Sequence, residues 1–157
     1  MRRTMNVSLL PLPTAETGAV LDRAVARLRE LESGVASPHG YCDLGEDAGV
    51  VEELLLRAGA GELASLAAYG GALLGDDGAG TACTLLSVDE VVRVHGFLTA
   101  AGTEALTAQI VDVLSATVRG EVSYGYAEDL AEMVGELNGL FESAARDGLC
   151  AVYLYEG

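Results

Sequence analysis

The stretch SPHGYCDLGED, residues 37–47, carries the densest set of reactive side chains in the sequence. It sets His39, one of only two histidines, beside Tyr41, Cys42, Asp43, Glu46 and Asp47. Three chemistries could draw on such a set: a bound metal, a thiolate nucleophile, or polar contacts to a ligand. A zinc site needs about four N, S or O ligands, and structural sites pair Cys or His at short spacing. His39 and Cys42 would make one half, but Cys83, His95 and Cys150 stand alone, so no metal site is expected. Asp43, Glu46 and Asp47 also lack the alternate-residue spacing of a calcium loop. A Cys42–His39 nucleophilic pair is disfavoured because the neighbouring carboxylates raise the thiol pKa. Residues 35–47 read instead as a polar surface loop. His39, Tyr41 and Asp43 are its candidate ligand contacts, since loops on a rigid scaffold are where binding residues concentrate.

The remaining reactive residues read as structural. His95 falls on the apolar stripe of a helix, the setting of a half-buried, hydrogen-bonded histidine. Cys83 and Cys150 sit in apolar strands and behave as small hydrophobes. The glycines of YGGALLGDDGAG match neither GxGxxG nor GxxxxGK[ST], and Asp76 and Asp77 would repel a phosphate. There is no GxSxG and no HExxH, so no catalytic residue and no cofactor is assigned.

Charge excludes whole classes of partner. The net charge is −15, with 24 carboxylates against nine basic residues, all of them arginine. Nucleic-acid affinity comes from neutralising phosphates with Lys and Arg, so a nucleic-acid binder is excluded; an anionic membrane surface would repel the chain equally. An acidic face docking on a basic protein is the partner class that remains, alongside the general effect of charge on solubility. The lysine-free composition suits a GC-rich bacterial coding sequence. The longest uncharged run, LASLAAYGGALLG (63–75), is shorter than the roughly 18 residues a spanning helix needs. MRRTMNVSLLPLP has a basic start, but Pro11 and Pro13 break its short apolar run. With three widely spaced cysteines and no such segment, a cytoplasmic location with reduced thiols is expected.

The elements that must position these residues follow from periodicity. TMNVSLLPL (4–12) alternates as a strand stopped by Pro11 and Pro13. Leu21, Val25, Leu28 and Leu31 form the stripe of a helix closed at Gly34. A second helical stretch spans about 50–67, broken at Gly59–Gly61. YGGALLG is ambiguous between strand and turn, DDGAG is a turn, and TACTLL (81–86) is a strand. Ser87–Val88–Asp89–Glu90 has the spacing of a capping box. The helix it opens carries Val88, Val91, Val92, His95 and Leu98 on one side. A helix from Gly102 or Thr103 turns Leu106, Ile110, Val113, Leu114 and Thr117 inward. A long helix over 126–147 buries Leu130, Met133, Val134, Leu137, Leu140, Phe141 and Ala144 and exposes Glu128, Asp129, Glu132 and Glu136. Gly148 stops it, and CAVYLY (150–155) is a buried strand. The reading is one α+β domain over 1–157, a small mixed β-sheet covered by about five helices, in the order β-α-α-(β)-β-α-α-α-β.

CTLLSVDEVVRVHGFL (83–98) resembles the strand-to-helix passage, opening Thr/Ser-x-Glu-Glu-Val, of the YfbM-like family of small bacterial proteins. LNGLFESAARDGLCAVYLYE (137–156) is similar to that family's end, where a helix closes Phe-x-x-Ala-Ala-x-x-Gly before an apolar strand. The resemblance covers about 69–156 and implies an α+β fold without an assigned activity. Residues 35–60 depart from it: the family's Trp and Leu-His pair are missing, and the chain has no tryptophan. The expectation is a non-enzymatic binding or accessory protein, for instance an immunity-type inhibitor of a basic toxin, able to form homo-oligomers. The competing expectation is a small-molecule sensor or enzyme using residues 39–43.

Overall fold

The computed structural model describes residues 6–13, 26, 30, 41–76, 81–117 and 124–156. Its strands are β1 (Asn6–Leu12), β2 (Cys42–Gly45), β3 (Ala72–Asp76), β4 (Thr81–Leu86) and β5 (Cys150–Glu156). Its helices are α1 (Ala48–Arg57), α2 (Glu62–Tyr69), α3 (Val88–Ala101), α4 (Thr103–Thr107), α5 (Ile110–Thr117) and α6 (Tyr124–Arg146). The strands form one sheet in the order β2-β1-β5-β4-β3. The class is α+β as expected, but every pairing is antiparallel rather than mixed.

β5 lies at the centre, and its first five residues are all buried. A strand covered on both faces has no solvent side, which is why CAVYL reads as a continuous apolar run. One face carries Leu9, Cys42, Leu44, Leu86, Ala151 and Tyr153 into the helical layer, where they join Val91, Leu98, Leu130 and Phe141. The other face buries Leu10, Leu12, Cys83, Val152 and Leu154, with Tyr41 and Leu85 packed beside them. Cys83 stands opposite Leu154 and Cys150 opposite Leu12. Four residue steps along β5 therefore separate the two cysteines, about 13 Å, beyond disulfide reach. None of the three cysteines is in a disulfide, and all three are buried.

Local signals explain most of the element ends. Ser87 Oγ accepts from Glu90 N–H at 3.2 Å while Glu90 Oε1 accepts from Ser87 N–H at 3.0 Å, the expected capping box. Gly148, at φ 66°, ends α6, and Leu149 N–H returns to Ala144 O at 2.9 Å. Gly59, at φ 91°, separates α1 from α2 where the glycine pair predicts a break.

Several expectations are corrected. The loop read over 35–47 contains strand β2, because Cys42 and Leu44 alternate inward against Asp43. β1 continues through Pro11 to Leu12; β2 pairs only with Val7–Leu9, so Pro11 lies where β1 is an edge and tolerates a missing N–H. The ambiguous 69–75 segment yields β3, which takes in Asp76. On α3 Val94 is buried and Val92 is 49% exposed, since 91, 94 and 98 form the core stripe. The helix from 103 divides at Ala108–Gln109 into α4 and α5. The helix expected around Leu21–Leu31, apart from the helical positions Ala26 and Glu30, lies outside the described residues, as do residues 77–80. No helix among the described residues is long and apolar enough to cross a membrane.

Candidate functional site

The expected 37–47 cluster is divided by the pleat of β2. Cys42 points into the helical core, fully buried, with Sγ 4.0 Å from Met133 O of α6. Burial, then the charges of Glu136 and Asp43, push its thiol up to about 12. A buried neutral thiol beside carboxylates cannot serve as a nucleophile. Asp43 turns to the opposite face, where Oδ1 accepts from Gly45 N–H at 2.8 Å and from Ser8 Oγ at 3.5 Å. Those contacts hold the irregular register between Val7 and Ser8, with Gly45 at φ 53°. Tyr41 is half-buried against the second apolar cluster. Of the three candidate contacts, Tyr41 and Asp43 therefore share one side of β2, and His39 lies outside the described residues.

What the fold brings together instead is two acidic segments far apart in sequence. α6 packs directly on β2. At one end Tyr126 Oη donates a short hydrogen bond to Asp47 Oδ1. Burial first, then this bond and the charges of Asp47 and Glu46, push the Tyr126 hydroxyl up to about 12. Further along, Glu136 acts on Cys42. Glu46 and Asp47 thus meet the Tyr126 end of α6, whose exposed face carries Glu128, Asp129, Glu132 and Glu136. The three described arginines are spent elsewhere: Arg57 on Glu53 at 3.2 Å, Arg93 on Glu62 at 2.9 Å, and Arg146 on Asp147 at 3.4 Å. Among the described residues no ion pair offsets the ridge. Glu128–Glu132 and Glu132–Glu136 are like-charge pairs one turn apart, each unfavourable by about 0.2–0.5 kcal/mol.

The ridge was hidden in the sequence because its halves are separated by some eighty positions and each reads as an ordinary solvated surface. Tyr126, which ties them, carried no distinguishing motif. His95 behaves as expected, half-buried with its ring 3.2 Å from Thr99 Oγ1. Among the described residues no group of three His, Cys, Asp or Glu is placed to hold a metal ion.

A second polar cluster serves the core. Tyr153 Oη donates to Ala67 O at 2.6 Å, and Thr84 Oγ1 donates to Tyr69 O at 2.7 Å. Tyr155 Oη donates to Tyr69 O as well. Together they satisfy carbonyls that the end of α2 leaves without helical partners. Burial raises the Tyr153 hydroxyl well above its ordinary 10.0. The folded chain thus holds the protons of Cys42, Tyr126 and Tyr153 more tightly than the unfolded chain does. Their contribution is intact below the ordinary thiol value of 9.0 and is lost as pH rises towards about 12. Melting temperature is expected to fall steadily above that lower value, with loss of helical circular dichroism and ionisation of Tyr126 and Tyr153 in the same transition. Ionisation of Tyr126 and Tyr153 near 10 in an intact fold would contradict this.

No protein-family model matches the sequence, and no curated protein matches it. Among solved structures, YfbM from Escherichia coli, described as a protein of unknown function, superposes with a TM-score of 0.58. The match covers 96% of this chain and 99% of that one at 15% sequence identity. At that identity the likeness carries the architecture alone, and on it this chain is an α+β protein of YfbM-like fold.

Proposed function

We propose that this is a non-enzymatic binding or accessory protein whose acidic ridge, formed by α6 and the β2–α1 corner, docks on a basic protein. The observation that supports this reading is the meeting of Glu46 and Asp47 with the end of α6 at Tyr126, next to the exposed Glu128, Asp129, Glu132 and Glu136, with no compensating ion pair among the described residues. Self-repelling charge costs stability, and complementary charge on a partner converts it into fast, specific association. Inhibition of a basic toxin by an immunity-type contact is one form this would take. The test compares affinity capture by the wild type with capture by a Glu128→Gln, Asp129→Asn, Glu132→Gln, Glu136→Gln variant. A stoichiometric basic protein is expected on the wild type, absent from the variant, and released at about 0.5 M salt, where exposed charge pairs are screened. Equal retention by both baits would refute the docking face.

A second reading, a small-ligand contact at His39, Tyr41 and Asp43, draws support from Tyr41 and Asp43 sharing one side of β2. Asp43 favours a cationic or hydroxyl-bearing ligand. Compounds of that class that raise the melting temperature of the wild type should fail to do so in a His39→Ala, Tyr41→Phe variant. An unchanged shift would exclude these contacts.

A further inference from the structure

α6 runs over 23 residues, and two of its glycines have no packing reason to be there. Gly135 and Gly139 are exposed, and a Cβ at either would meet nothing within 4 Å. Glycine inside a helix weakens it, because the released chain gains more conformations, so the turn between them is a soft point of α6. Asn138 stands in that turn, directly before Gly139. Asparagine is a thermolabile side chain, and a following glycine leaves the next backbone nitrogen unshielded. The chain's other asparagine, Asn6, precedes β-branched Val7 in β1. The fold guards Asn138 in two ways. The helix directs Gly139 N–H at Gly135 O, which turns that nitrogen away from Asn138 Cγ. Asn138 Nδ2 also donates to Thr103 Oγ1 at 2.6 Å, which fixes the side chain against α4.

We propose that Asn138 is a site of spontaneous deamidation, gated by local opening of α6 between Gly135 and Gly139 and not by unfolding of the whole chain. In the opened turn Gly139 N gives its proton to solvent base and attacks Asn138 Cγ. A new C–N bond closes a succinimide, and the side-chain nitrogen leaves as ammonia. Water then opens the ring at either carbonyl, leaving aspartate or isoaspartate with no change of oxidation state. A carboxylate at 138 has no amide to donate to Thr103. Isoaspartate also adds a carbon to the backbone, which moves Leu140, Phe141 and Ala144 out of phase with Leu137 on the buried stripe. The reaction thus couples the covalent age of the chain to loss of the contact between α4 and α6.

Incubation of the folded full chain in mildly alkaline buffer, with peptide mass spectrometry at intervals, tests this. Asn138 should convert to a mixture of aspartate and isoaspartate while Asn6 keeps its amide. Thr103→Ala frees the side chain and should speed conversion by about threefold to tenfold. Gly135→Ala stiffens the turn, leaves the Asn–Gly pair intact, and should slow conversion by about twofold to fivefold. Tyr153→Phe weakens the fold at the end of α2 and should leave the rate unchanged. A folded chain that keeps Asn138 intact until denaturant is added overturns the proposal. So does conversion at the wild-type rate in Thr103→Ala or Gly135→Ala. A rate raised about tenfold by Tyr153→Phe would overturn it too, because that is the mark of a gate set by global unfolding.

Discussion

Gly70→Ala is expected to destabilise the fold by about 4 kcal/mol, through backbone strain of about 1–3 kcal/mol and overpacking of similar size. Gly70 follows α2 at φ 81°, ψ −170°, a region essentially reserved for glycine. A Cβ there would stand 2.1 Å from Thr84 Oγ1 and 2.8 Å from the Tyr153 ring. Neither neighbour can step aside: Thr84 is bonded to Tyr69 O, and Tyr153 is fully buried and bonded to Ala67 O. Chemical denaturation should show the loss, and a Thr84→Ala background should reduce it, because one of the two obstructions is gone. Gly139→Ala is the control. It lies exposed within α6 with nothing within 4 Å of its Cβ position, and should stabilise by about 0.5–1 kcal/mol. Equal effects at the two glycines would show that the close approach at Gly70 does not govern stability.

Truncating Tyr153 should cost as much by a different route. Its ring fills the centre of the sheet–helix interface, so Tyr153→Ala leaves a cavity worth about 3–5 kcal/mol. Tyr153→Phe keeps the ring and removes only the hydroxyl. It should cost about 1–2 kcal/mol, because Ala67 O is left buried without its donor. The same variant should also flatten the alkaline loss of stability, since a hydroxyl that burial raises is gone. Stability unchanged in Tyr153→Phe would mean that Ala67 O finds another donor.

These two residues also mark where sequence reasoning stopped. The buried strand CAVYLY was legible from its apolar run, and α3 and α6 from caps and stripes that are local in sequence. Their partners were not legible, because pairing β1 with β5 joins Asn6 to Glu156 and nothing in either strand encodes the other. β2 escaped notice for a related reason: two inward residues, Cys42 and Leu44, are too few to show a period inside a Pro- and Gly-rich stretch. Missing β2 hid the candidate site as well. Once Cys42 is anchored against α6, Glu46 and Asp47 come to the end of that helix where Tyr126 meets Asp47, and two unremarkable acidic segments adjoin. Val92 shows the opposite failure. Its stripe was a valid helical face by spacing, and only the direction from which the sheet approaches decides between it and Val94.

The proposed docking role of the acidic ridge sets binding against folding stability, and one variant measures both. Glu128→Gln, Asp129→Asn, Glu132→Gln, Glu136→Gln removes the like-charge pairs along α6 and leaves its core stripe untouched. At low salt it should melt higher than the wild type, by an amount that shrinks as salt is added, while losing the basic partner that the wild type retains. A lower melting temperature, or retention of the same partner, would contradict a surface kept acidic for docking.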